Sequence, residues 1–190
     1  MSCSLADSLT DAVERLFSLM AKFCAVFNIG AVLAVLGASL AVGLACIGSA
    51  KGTGLVGEAG AGLLTEDSSK FGGILLLQVL PGTQGLYGFV VWAITFFLKL
   101  DFTTIFLPVE QGGLTLATGA AIGMACLPIG IAGLLSAIAQ GRVAAAGVSV
   151  LAKKPEAQGN AVVMCIIVEF YAILSLLASL FMILQINTGA

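Results

Sequence analysis

The chain has no histidine and very little charge. Its 190 residues hold 8 Lys and Arg against 10 Asp and Glu, so charged residues make up 9%, where a soluble domain carries about 25%. Without an imidazole, a histidine metal site and a His-based catalytic triad are both excluded. The net charge of −2 comes with no basic cluster, which argues against nucleic acid as a partner. Cysteine is sparse too. Cys3, Cys24, Cys46, Cys126 and Cys165 are scattered without a CxxC spacing and read as small apolar side chains.

What fills the sequence instead is apolar, at 59% of all residues, with 24 glycines besides. That composition describes an integral membrane protein, in which glycine lets helix backbones pack closely. Four apolar blocks stand out, at about Phe27–Gly52, Phe71–Leu98, Gly113–Val150 and Ala161–Ile186. Each is long enough to cross a bilayer as a helix, which takes about 20 residues. In the first and third blocks small residues continue through "IGSAKGTGLVGEAGAGLL" and "IAQGRVAAAGVSVLAKK", so these helices are expected to project past the bilayer, packed together.

The expected fold is all-α, with four transmembrane helices arranged as two tandem hairpins. An N-terminal segment over 1–26 precedes a first hairpin over 27–100, an external turn over 101–112 and a second hairpin over 113–190. The hairpins read as a duplication. Ile47–Lys51 resembles Ile138–Arg142, and matching "GTQGLYG" to "EFYAILS" sets Gly82 opposite Glu169. Lys51, Lys70, Arg142, Lys153 and Lys154 lie on the side of the hairpin loops, against Lys99, Arg15 and Lys22 on the other, which places the loops in the cytoplasm and both termini outside. At the N-terminus, Leu9, Val13, Leu16, Phe17 and Met20 recur at helical spacing, with Asp7, Asp11, Glu14 and Arg15 elsewhere. This predicts an amphipathic helix on the membrane surface. Acids lead that segment and no clear cleavage site follows, so a signal peptide is not expected.

One carboxylate interrupts the last block, in "VVMCIIVEFYAILSLLASLFMILQI", where Glu169 is surrounded by apolar and small residues. A charge at mid-bilayer costs roughly 2.5–3.5 kcal/mol on insertion scales. Glu169 must therefore be neutralised by a proton, balanced by a bound cation, or satisfied by buried partners on neighbouring helices. The second block offers such groups in "LLLQVLPGTQGLYGFVVWAI". Leu80, Gln84 and Tyr87 share a helix face, with Thr83 beside it. Pro81 lacks an N–H and clashes with the carbonyl four residues back, so it frees backbone oxygens and can bend the helix. Such breaks in membrane helices are tolerated where they line a site. The third block adds Gln140.

Together these supply the Glu169 carboxylate, the Gln84 and Gln140 amide oxygens, the Thr83 hydroxyl and the Leu80 carbonyl, with the Tyr87 phenol able to hold the carboxylate from outside. Hard oxygen donors with a single negative charge suit a hard monovalent cation such as Na⁺ better than Ca²⁺ or Mg²⁺. A proton on Glu169 would do the same electrical work with fewer ligands. Trp92 reads as an interfacial anchor. "GSAKGT" lacks the GK[ST] ending of a phosphate loop and a preceding strand, so no ATP site is expected.

"LPGTQGLYGF", "IAQGRVAAAG", "LAKKPE" and "VEFYAIL" together resemble the proteolipid rotor subunit of V-type ATPases, over roughly residues 28–188. The resemblance implies a homo-oligomeric ring of two-hairpin subunits in a bacterial plasma membrane. That ring is turned through central-stalk subunits by ATP hydrolysis in a soluble sector, and the chain has no catalytic site of its own. Each copy's carboxylate exchanges its ion with a stator membrane subunit that bears a basic residue. In sodium-carrying members the ion is held at the positions matching Leu80, Thr83, Gln84, Gln140 and Glu169, with Tyr87 bonding the carboxylate. The alternatives are the same rotor carrying H⁺, and a structural or pore-forming proteolipid that transports nothing.

Overall fold

A computed structural model describes residues 10–11, 13–20, 28–101, 103 and 105–188, and every regular element among them is helical. Helix α1 spans Ile29–Glu66. A 3-10 turn at Ser68–Lys70 leads into α2, Phe71–Val79, and a second one at Leu80–Gly82 separates α2 from α3, Thr83–Leu98. Helix α4 spans Leu116–Lys153, and after a 3-10 turn at Pro155–Ala157, α5 spans Gln158–Gln185. Four helical stretches, Ile29–Glu66, Ser68–Leu98, Leu116–Lys153 and Pro155–Gln185, are long and apolar enough to cross a membrane. Helices α1 and α4 have 38 residues each. At about 1.5 Å per residue each is about 57 Å long, nearly twice the ~30 Å of hydrocarbon, so both extend past it.

The two hairpins repeat with one step. The stretches begin at 29 and 116, 68 and 155, and end at 66 and 153, 98 and 185, always 87 residues apart. That step pairs Gly82 with Glu169, as the motif match does. It sets Lys51 level with Ile138, one helical turn short of Arg142. The resemblance of Ile47–Lys51 to Ile138–Arg142 therefore does not follow the register of the helices.

Glycine decides how the hairpins meet. Helices α1 and α4 pack side by side, α5 lies against α4, and α3 lies against α1. A methyl group placed on Gly37 would sit 2.6 Å from the carbonyl oxygen of Gly123, and one on Gly48 would sit 2.6 Å from that of Leu134. No side chain fits between backbones that close, so this seam needs glycine. The helix ends are fixed by side chains. Asn28 accepts from Ala31 N at 3.0 Å and donates to the Leu107 carbonyl at 2.8 Å, which ties the start of α1 to the 101–115 connection. Thr115 caps α4 by accepting from Thr118 N at 3.1 Å. At the loop between α1 and α2, the Ser69 side chain and backbone bond the Asp67 carboxyl and hold it below its ordinary range. Lys99 donates to the Ile186 carbonyl at 2.6 Å and joins the far ends of α3 and α5.

Apolar packing forms separate layers along the bundle. One gathers Val56, Ile74, Leu77, Ala144, Val148, Leu151 and Cys165. Another gathers Ala38, Ala41, Val91, Ala125, Cys126, Ile129 and Ile183. The segments between them, near residues 49 of α1, 83–87 of α3, 140 of α4 and 169 of α5, carry the polar groups. Of the expected N-terminal helix, residues 10–11 and 13–20 are helical and exposed, with Arg15 and Asp11 paired at 3.1 Å. Asp7, Leu9 and Lys22 lie outside the described residues.

Candidate ion-binding site

The structure brings the six residues singled out above to one place between α3, α4 and α5. Pro81 interrupts the second span as its chemistry requires, and the chain answers with the Leu80–Gly82 turn. Three of the six follow from that turn. The Leu80 carbonyl lies at its start, and Thr83 and Gln84 open α3 directly after it. Tyr87 is one turn further along α3, on the face that Thr83 also presents.

Glu169 accepts at both oxygens. Thr83 Oγ1 lies 2.8 Å and Tyr87 Oη 2.6 Å from its Oε1, and Gln140 Nε2 lies 3.5 Å from its Oε2. Gln140 Nε2 also donates to the Cys165 carbonyl at 3.1 Å, one turn before Glu169 on α5. Gln84 Nε2 donates to Gln140 Oε1 in a hydrogen bond that links α3 to α4. Thr83 Oγ1 stands 3.0 Å from the Leu80 carbonyl as well as near Glu169. Its single proton serves one of these oxygens at a time.

Two features of this arrangement bear on what it can hold. All three side-chain contacts to Glu169 come from groups that can donate, which is how an ionised, acceptor-only carboxylate is satisfied. And one oxygen is left over. Gln84 is fully buried, and its Oε1 has no hydrogen-bond partner among the described residues. An unmatched buried acceptor costs about 1–3 kcal/mol, a cost that a bound cation or a donor would offset. The donor set fits a hard cation: a carboxylate, two amide oxygens, a hydroxyl and a backbone carbonyl, with no sulfur. Among the described residues no three His, Cys, Asp or Glu side chains come together.

Sequence reasoning did not find two groups that support the site, nor a third, a serine contact that lies away from it along α5. Ser49 of α1 accepts from Gly85 N at 2.8 Å. The Cys165 carbonyl anchors Gln140. Ser179 of α5 accepts from Ile129 N at 3.2 Å, just after Pro128 within α4. A serine in a run of small residues gives the same signal as a packing residue, and a backbone carbonyl gives none.

Comparison with known proteins gives the family. A family model describing the C subunit of ATP synthase matches the chain twice, over residues 36–95 and 122–182, once per hairpin. The V-type sodium ATPase subunit K of Enterococcus hirae is 45% identical over 158 residues, which is 83% of this chain and 94% of that protein. The A-type ATP synthase subunit K of Methanocaldococcus jannaschii is 38% identical over 158 residues, again 83% of this chain but 64% of that protein. The duplicated hairpin, the carboxylate midway along its last helix and these matches give one answer: the chain belongs to the family of ATP synthase C subunits.

Proposed function

We infer that this chain is the membrane rotor subunit of a V-type ATPase and carries Na⁺ on Glu169, bound by Leu80, Thr83, Gln84 and Gln140, with Tyr87 bonding the carboxylate. The observation that carries the reading is a carboxylate, Glu169, met by three side chains that can donate, together with a buried Gln84 oxygen left unmatched on a side chain bonded to the same Gln140. A cation between them neutralises the first and satisfies the second. The relative named as a sodium ATPase subunit, at 45% identity, supports the choice of ion.

In this reading copies of the chain assemble into a ring, and a soluble sector hydrolyses ATP and turns it through central-stalk subunits. A bare carboxylate cannot travel through lipid, but an ion-neutralised one can. Binding has to be tight enough to load and weak enough to release. A basic residue on a stator subunit would drive release by competing for Glu169. The distribution of lysine and arginine favours cytoplasmic hairpin loops, with the 101–112 turn and both termini outside, in a bacterial plasma membrane.

Carbodiimide labelling of Glu169 in the purified protein tests the ion. The reagent attacks the protonated carboxyl group. Added Na⁺ should slow labelling at constant pH, and the effect should weaken as pH falls and protons compete. Labelling that follows pH alone would mean that the site carries protons.

The same assay reads the Tyr87 hydroxyl. Tyr87→Phe removes one of the two donors on Glu169 Oε1. A hydrogen bond to a charged group is worth about 1.5–3 kcal/mol, so half-protection should need roughly ten times more Na⁺. An unchanged midpoint would show that the phenol does not hold the carboxylate in the loaded state.

A further inference from the structure

Three of the five inferred ligands depend on how α3 begins, yet α3 has no cap of its own. Its N-cap position is Gly82, which has no side chain to offer. The first N–H groups of a helix lack intrahelical partners, and a side-chain oxygen usually reaches the second or third of them. Gly85 is the third residue of α3, and its N–H donates to Ser49 Oγ on α1 at 2.8 Å. A neighbouring helix thus supplies the cap that the local sequence omits. Ser49 is 7% exposed, so water does not replace it easily. Cys46, one turn away on α1, has its Sγ 3.9 Å from the Gly85 carbonyl, so α1 touches both ends of that residue. The fit is close, since a methyl group on residue 85 would stand 3.3 Å from both Cβ and Oγ of Ser49 and would push the serine aside by a few tenths of an ångström.

The stretch of α1 that carries Ser49 is itself fixed. Gly48 lies against the Leu134 backbone of α4, and a methyl group on Gly52 would sit 2.8 Å from Pro81 Cβ. Residues 48–52 therefore touch both the helix that bears Gln140 and the turn that bears Leu80. We propose that Ser49 is a positioning residue for the ion site, a hydroxyl on α1 that caps α3 and sets where Leu80, Thr83 and Gln84 stand relative to Gln140 and Glu169. This rests on the reading of the site as an ion carrier. Ser49 does not touch the ion. Without it, the Gly85 N–H loses its Ser49 acceptor and the start of α3 loses its hydrogen-bonded tie to α1, which leaves the Leu80–Gly82 turn free to shift.

The test is the Na⁺ midpoint for protection of Glu169 from carbodiimide, in the full-length protein and its Ser49→Ala, Ser49→Thr and Ser179→Ala variants. Ser179 is a control of the same kind: buried, accepting a backbone N–H of α4, and ten residues along α5 from Glu169, about 15 Å. Removing a group that orients ion ligands typically weakens affinity 10–100-fold. Ser49→Ala should raise the midpoint about ten-fold at least. Ser49→Thr, which keeps the hydroxyl, should restore most of it, and Ser179→Ala should leave it near wild type. An unchanged midpoint in Ser49→Ala, or an equal shift in Ser179→Ala, would overturn the proposal. If Na⁺ fails to protect even the wild type, the sodium reading fails instead. Ser49 is then judged on the pH midpoint of labelling, where a shift specific to Ser49→Ala supports positioning and an unchanged value refutes it.

Discussion

Glu169→Gln should abolish carbodiimide labelling at position 169 and, on the sodium reading, reduce Na⁺ transport by the reconstituted complex to background, while the protein still inserts and folds. The substitution keeps size and shape but removes the only carboxylate in the site. At about 4 Å and an effective dielectric near 20, the attraction between a monovalent cation and one negative charge is about 4 kcal/mol. Losing it weakens binding by nearly three decades at about 1.4 kcal/mol per decade. One hydrogen bond changes sign as well, because an amide nitrogen in place of Oε2 would face Gln140 Nε2, donor against donor. Folding should survive, because Thr83 and Tyr87 still find an oxygen on residue 169. The measurement is ATP-driven ²²Na⁺ uptake into proteoliposomes beside a thermal melt of the same preparation. Normal uptake with Gln at 169 would leave the chain as a structural proteolipid. Loss of uptake together with loss of folding would assign the carboxylate a packing role.

The residues of this site were visible in the sequence for a definite reason. Polar groups are costly at membrane depth, so Glu169, Gln84 and Gln140 stand out against leucine and valine where they would be lost in a soluble helix. Helical spacing put Leu80, Gln84 and Tyr87 on one face, and Pro81 marked the break that the Leu80–Gly82 turn makes. The four spans were legible from length alone. What stayed hidden depends on which helix lies against which. That Ser49 meets Gly85, or that Gln140 reaches the Cys165 carbonyl, follows from α1 packing on α3 and α4 on α5. A single sequence does not encode that pairing as a pattern. The register of the repeat was obscured differently. Runs of Gly, Ala, Ser and Ile resemble one another at several offsets, so Lys51 was matched to Arg142 while the helix ends step by one turn less.

Glycine was read only as a tendency to pack closely, and the structure turns it into a prediction about single positions. Gly141→Val should push α1 away from α4 and lower both thermal stability and ion affinity. A methyl group on Gly141 would meet the Gly52 backbone, with the carbonyl oxygen of Gly52 only 2.6 Å away. No side chain stands between them, so nothing can rotate aside and the helices must move as bodies. Overpacking a fitted interface usually costs about 1–3 kcal/mol, with larger values where backbone must shift, and here both sides are backbone. Gln140 is the preceding residue, so the displacement also pulls its amide from Gln84 and the Cys165 carbonyl. The contrast lies on α1, where Gly62 has nothing within 4 Å of an added methyl group. Gly62→Ala should hold or raise the melting temperature, because alanine is favoured over glycine in a helix by about 1 kcal/mol. A melt of the detergent-solubilised variants, read beside the Na⁺ midpoint for labelling, separates the two glycines. If Gly141→Val melts and binds like wild type, the helices have room to spare at that crossing and the glycine seam is not what holds the hairpins together. If it loses both while Gly62→Ala loses neither, the seam sets the spacing across which Gln140 meets its partners.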